Sequence, residues 1–223
     1  MSFRQTVMVG WFLILVACAV SLWFYPQLPN PVPTHWDMAG QVNGYTPKPW
    51  GVILFPLVMI GMWLVLWALP YISPKGFRLD SFLPVYGIIS LAILAMLFVI
   101  MVIVFLAAKG NHIPVQRVAP IVVGLLLLVL GNYMGKVRKN FFVGIRTPWT
   151  LASDEVWMRT HHLGGWLFVV GGLIIAVAGL LAPAHLVPGI LIAVVITVSL
   201  VTVGGSYVIY RRVEGFTNNN NES

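Results

Sequence analysis

The chain has 223 residues, of which 59% are hydrophobic and only 9% charged, whereas a soluble domain carries about 45–50% apolar and about 25% charged residues. That composition excludes a soluble globular protein. The net charge of +7 could suggest nucleic acid, but the basic residues flank long apolar runs, where anionic lipid headgroups attract them, so headgroups rather than nucleic acid are the expected contact.

Six apolar runs are each close to the ~20 residues needed to cross the hydrocarbon. They fall at about 7–25, 51–72, 84–107, 118–134, 163–182 and 188–210. The first follows a basic residue, Arg4, as a signal peptide would, but it continues into FYPQLP without a small-residue cleavage site. It is read as a retained helix. The runs are continuously apolar rather than alternating, which favours helices over a β-barrel. The expected fold is all-α: a polytopic membrane protein with six transmembrane helices. Cys18, the single cysteine, has no disulfide partner and reads as a small core residue.

Orientation follows from Lys and Arg. With the N-terminus inside, the inner side holds Arg4, Lys75, Arg78, Lys136, Arg138, Lys139, Arg146, Arg159, Arg211 and Arg212, and the outer side only Lys48, Lys109 and Arg117. This bias predicts both termini in the cytoplasm. The polar tail 213–223, ending NNNNES, is expected to be disordered.

Two connections are long. The outer one, PQLPNPVPTHWDMAGQVNGYTPKPW (26–50), carries six prolines that stiffen its ends. Asn43-Gly44 is a strong tight-turn signal, and Gly40 can supply another turn. An ordered cap over the outer face is expected, with His35, Trp36, Asp37, Asn43 and Tyr45 as its binding face. Trp36, Tyr45 and Trp50 could instead act as interface anchors.

The inner connection, 135–162, begins with a basic collar of Lys136, Arg138 and Lys139. FFVGI follows, too short to cross and apolar enough for the headgroup region. Thr147-Pro148 reads as a helix start. Ser153 offers a second cap, with Asp154 and Glu155 in the first turn. From Asp154 to Leu163 the spacing of Val156, Trp157, Thr160 and Leu163 predicts a short interfacial amphipathic helix running into the fifth span, with Glu155 and Arg159 paired four apart. Gly164-Gly165 would permit a bend or a close contact.

No Asp, Glu, Lys or Arg lies near the centre of a span, which weighs against an ion-coupled transporter. Asn132, the most polar deep residue, is expected to donate a hydrogen bond between helices, beside a small-xxx-small pair, Gly131 and Gly135. No metal, nucleophile or phosphate-loop motif occurs, and adjacent His161 and His162 point about 100° apart on a helix. Neither catalytic residues nor a cofactor or metal are expected, and the histidines read as loop or headgroup hydrogen-bonding groups.

The segment GIRTPWTLASDEVWMRTHHLGG resembles the signature of the SdpI family of bacterial membrane proteins, at Gly144 through Leu151, Glu155, Val156, Trp157, Thr160, His161, Gly164 and Gly165. The outer loop is similar to an uncharacterised N-terminal domain often joined to that family, at Pro33, His35, Trp36, Gly40, Val42, Asn43, Gly44 and Lys48. The resemblance divides the chain into an N-terminal membrane region (1–116) and a second region (117–212) with the inner motif at 144–165. It implies a bacterial inner-membrane protein that confers immunity to a secreted peptide toxin and can capture a cytosolic repressor. It directs attention to Arg146, Thr147, Pro148, Trp149, Glu155, Trp157, Thr160 and His161 on the inner side. A small-molecule or peptide transporter, or a membrane enzyme, are the competing classes.

Overall fold

A computed structural model describes residues 1–219. Its helices are α1 (Phe3–Phe24), α2 (Lys48–Ile72), α3 (Leu83–Ala108), α4 (Val115–Met134), α5 (Pro148–Ala152), α6 (Asp154–Leu181) and α7 (Val187–Asn219). All except α5 are long and apolar enough to cross a membrane, so the six spans and the all-α class stand. Between α1 and α2 a hairpin of β1 (Val32–Trp36) and β2 (Val42–Thr46) is added.

Two boundaries differ from the sequence reading. The amphipathic segment before the fifth span is the opening of α6, not a separate interfacial helix. The Ser153 side chain caps α6 by accepting from the Val156 N–H, and Asp154 and Glu155 occupy its first turn, where the helix dipole favours acids. Gly164 and Gly165 are spent on packing, so the helix does not bend off there. At the other end, α7 continues as helix to Asn219, past the point where disorder was expected, because no proline interrupts 213–219. Residues 220–223 lie outside the described residues.

The spans form two three-helix groups, α1/α2/α3 and α4/α6/α7, joined along α3 and α4. Large side chains fill the first: Phe24, Met59, Trp63, Tyr86, Leu94, Met101 and Phe105 are all in its core. Gly10 is the gap into which Trp63 fits, since a Cβ there would come within 2.1 Å of the indole.

The second group is built from glycine. On α4, Gly124 and Gly131 are seven apart, and on the antiparallel α6 Gly165, Gly172 and Gly179 are seven apart. A Cβ on Gly131 would fall 2.7 Å from the Gly165 carbonyl oxygen, one on Gly172 2.5 Å from that of Gly124, and one on Gly179 3.1 Å from that of Arg117. The backbones therefore touch at three levels. In lipid, helices gain by this close packing rather than by a hydrophobic force, and a seven-residue repeat keeps the seam aligned as the pair supercoils. The expected Gly131/Gly135 pair is thus replaced by Gly124/Gly131: Gly135 caps the end of α4 and faces His162 instead. Asn132, one residue round from the seam, is exposed and makes no hydrogen bond between helices among the described residues.

Loops alternate between two ends. At one, the hairpin caps the bundle. Its turn runs through Asp37–Gly40, not Asn43-Gly44. The Asp37 Oδ1 accepts from the Gln41 N–H at 2.9 Å, the Gly40 N–H donates to the Asp37 carbonyl at 3.0 Å, and Gly40 has φ of +81°. Asn43 and Gly44 lie within β2, where Gly44 opposes His35 at a register irregularity. A Cβ on Gly44 would be 2.8 Å from that of His35, so the glycine serves strand pairing. Val32 is buried beneath, against Gly51.

At the other end the 73–82 connection meets the loop after α4, with the Phe77 and Phe141 rings 6.2 Å apart. Ten of the thirteen Lys and Arg residues belong to this end. It is the end that the positive-inside rule assigns to the cytoplasm, as expected from the sequence.

Candidate functional site

The inner motif folds round Asn140, which is 0% exposed. Its Nδ2 donates to the carbonyls of Arg138 (2.9 Å) and Val143 (2.8 Å). Its Oδ1 accepts from the N–H groups of Phe142 (2.8 Å) and Val143 (2.7 Å). The amide thus satisfies backbone that has no helix or sheet to satisfy it. FFVGI, expected simply to lie among headgroups, is the loop wound on this amide.

Two side chains of α6 then clamp that loop. Trp157 is buried and its Nε1–H donates to the Val137 carbonyl at 2.8 Å. His161, one turn later and also buried, has Nδ1 2.8 Å from the Trp157 carbonyl and Nε2 3.0 Å from the Ile145 amide. A carbonyl only accepts and an amide N–H only donates, so the ring is the neutral tautomer with hydrogen on Nδ1. The indole and imidazole stack, 4.0 Å between centroids at 19°. Gly144 makes the approach possible: its φ is +114°, and a Cβ there would lie 2.3 Å from His161 Nε2.

Threonines fix the rest. Thr147 caps α5 in a capping box with Thr150, and Pro148 occupies the first turn. The Thr150 hydroxyl reaches the Ile145 carbonyl at 2.9 Å, and the Thr147 and Ser206 hydroxyls, 3.0 Å apart, tie the motif to α7. Trp149 packs on Tyr207 with centroids 5.1 Å apart. Thr160 is buried with its hydroxyl unpartnered among the described residues.

The charged residues of the motif face water. Arg146 is exposed and donates to the Phe141 carbonyl. Lys139 pairs with Asp154, and Arg159 with Glu155 four residues earlier. With Gly76, Ser81 and Arg138, the residues Lys139, Asp154 and Glu155 line a cavity of about 630 Å³ over Trp157. Six of the eight expected inner residues therefore build the motif or its surface pairs from within: Thr147, Pro148, Trp149, Glu155, Trp157 and His161. Arg146 lies exposed at its edge, bonded to the loop through the Phe141 carbonyl.

At the outer end, His35 Nδ1 and Asn43 Oδ1 are hydrogen-bonded across the hairpin. Trp36 is partly buried against the core and Asp37 holds the turn. Tyr45 is 60% exposed and Met38, which the sequence reading passed over, 55%. The structure does not bring the outer and inner groups together; they occupy opposite ends of the bundle.

Asn140 is the residue sequence reasoning missed; Gly144 stood in the signature without a role. A lone Asn between basic and aromatic residues carries no periodic signal, although an Asn able to bond backbone two or three residues on is a turn signal.

Two family models match parts of the chain. Residues 136–208 match the SdpI/YfhL protein family, from the loop after α4 to most of α7. Residues 12–60 match a domain of unknown function, DUF1648, spanning most of α1, the hairpin and the first half of α2. The immunity protein SdpI of Bacillus subtilis (strain 168) is 26% identical over 205 residues, covering 91% of this chain and 96% of that protein. No solved structure matches. Residues 136–208, the loop clamped by Trp157 and His161 together with the helices that carry it, are thus the part of the chain that is similar to the SdpI/YfhL protein family.

Proposed function

We propose that this protein is an immunity protein of the bacterial cytoplasmic membrane, giving its cell tolerance of a secreted antimicrobial peptide toxin. The observation that carries the reading is the extent of the similarity to an immunity protein: 91% of this chain and 96% of the relative. A match of that length leaves only about a tenth of this chain outside it. The outer hairpin supports the reading because it is stiffened by prolines and paired strands, so it presents His35, Met38 and Tyr45 at low entropic cost to a ligand. The inner motif supports a second role, capture of a cytosolic repressor, because its charged rim and Arg146 face the cytoplasm over a rigid base.

The test is complementation. A B. subtilis strain lacking its SdpI is transformed with this chain or an empty vector and exposed to spent medium of the parent strain. A second arm uses a sensitive strain and medium from this protein's own source. Improved survival in either arm is the expected result. Survival equal to the vector in both arms, with the protein present in the membrane fraction, would remove immunity and bring transport forward.

A further inference from the structure

Asn132 is a polar amide on a membrane-spanning helix, exposed on the lipid side of the α4–α6 seam. Such a group is costly in hydrocarbon without a partner. It does not stand alone. Lys136 is one turn further along toward the cytoplasm, and His162 and Trp166 stand at matching levels of α6. These four side chains edge a groove of about 410 Å³ with Gly131, Gly135 and Gly165 along it. Gly135 faces His162 across it: a Cβ on Gly135 would be in van der Waals contact with His162 Nδ1, at 3.4 Å. Trp166 is 68% exposed, as an aromatic residue at the membrane interface is expected to be.

The charge in the groove is of one sign. Lys136 is exposed, with its ammonium 5.0 Å from the Tyr133 ring, and no carboxylate lines the groove. The nearest acids on α6 are engaged elsewhere, Asp154 with Lys139 and Glu155 with Arg159. Donors at two depths, one cationic near water and one amide about 6 Å deeper by helical rise, match a phosphodiester headgroup above its glycerol esters.

We propose that the groove between α4 and α6 binds an anionic phospholipid of the inner leaflet. The phosphate sits toward Lys136 and His162, Asn132 bonds the glycerol-ester region, and an acyl chain runs past Trp166 and Val169. The site lies outside the loop clamped by Trp157 and His161 and does not depend on the immunity reading.

Native mass spectrometry of the full chain, titrated with phosphatidylglycerol or phosphatidylcholine in detergent, tests it. The expected result is one tightly held phosphatidylglycerol, preferred over phosphatidylcholine. Lys136→Gln should weaken it about fivefold, the weight of one lysine at an anionic surface. Asn132→Leu should weaken it independently, and Arg4→Gln, at the inner end of α1 in the other helix group, should leave it unchanged. Both groove residues are exposed, so the fold is retained, and unfolding temperature without added lipid checks this. Equal retention of the two lipids, or equal effects of Lys136→Gln and Arg4→Gln, would overturn the proposal. Displacement by soluble glycerophosphate would show a phosphate site rather than a lipid site. A dimer that excludes lipid would assign the groove to a second copy of the chain.

Discussion

The amide of Ile145 donates to His161 Nε2 at 3.0 Å while Nδ1 of the same ring lies 2.8 Å from the Trp157 carbonyl. A histidine sixteen positions along the chain therefore supplies the acceptor for a loop amide. His161→Phe would keep the stack on Trp157 but leave the Ile145 amide without its acceptor, a loss of roughly 1–3 kcal/mol for a buried orphaned group. The expected outcome is a lower unfolding temperature and faster tryptic cleavage at Arg138, Lys139 and Arg146. Unchanged cleavage would mean that the loop holds its shape without the clamp.

Gly144→Ala should be worse tolerated than most surface changes. It forces a side chain into a φ of +114° and to within 2.3 Å of the imidazole. Positive φ alone costs about 1–2 kcal/mol, and the clash adds to it. Asn140→Leu, of similar size, should fail for a different reason: it strands the carbonyls of Arg138 and Val143 and the amides of Phe142 and Val143. Expression level and thermal unfolding in detergent read both, and wild-type stability of either variant would contradict the description of the loop.

Glycine variants should separate by position. Gly131→Val and Gly172→Val must push α4 and α6 apart, because even a Cβ would meet backbone at 2.7 and 2.5 Å. Gly61→Ala in α2 meets nothing within 4 Å and should be neutral or stabilising by up to about 1 kcal/mol. Unfolding temperatures of the three variants decide, and equal effects would argue against a close α4–α6 seam.

The topology is open to cysteine labelling in a Cys18→Ala background. Met38→Cys should react with a membrane-impermeant maleimide in intact cells, and Ala152→Cys only after lysis. Gly40 is unsuitable as the outer reporter, since its φ is positive and a Cβ would meet the Gln116 side chain at 2.4 Å. Labelling of position 152 in intact cells would reverse the orientation.

The spans were legible because continuous apolar runs leave few alternatives to a membrane helix. The start of α5 was legible too, since a hydroxyl followed by proline states its own cap. The hairpin turn was not. Asn43-Gly44 is the stronger local signal, but the Asp37 carboxylate and Gly40 satisfy the turn backbone earlier, and Gly44 is needed flat against His35. The glycines at 124, 131, 165, 172 and 179 stood in plain view at seven-residue spacing; their pairing needed the antiparallel register, which spacing on one helix does not give. Trp157 and His161 were singled out, but their partners Val137 and Ile145 are loop backbone, which leaves no mark in side-chain patterns.

The central claim is tested most directly by survival under toxin with the outer hairpin altered and the inner motif intact. Cells carry wild type, a Met38→Ala/Tyr45→Ala variant, or Arg146→Ala, matched for protein in the membrane fraction. Both hairpin side chains are largely exposed and neither holds the turn, so the strands should remain paired. The account predicts protection by wild type and by Arg146→Ala, and sensitivity close to the empty vector for the hairpin variant. Full protection by the hairpin variant would contradict toxin recognition at the outer face, and no protection by wild type would contradict immunity itself.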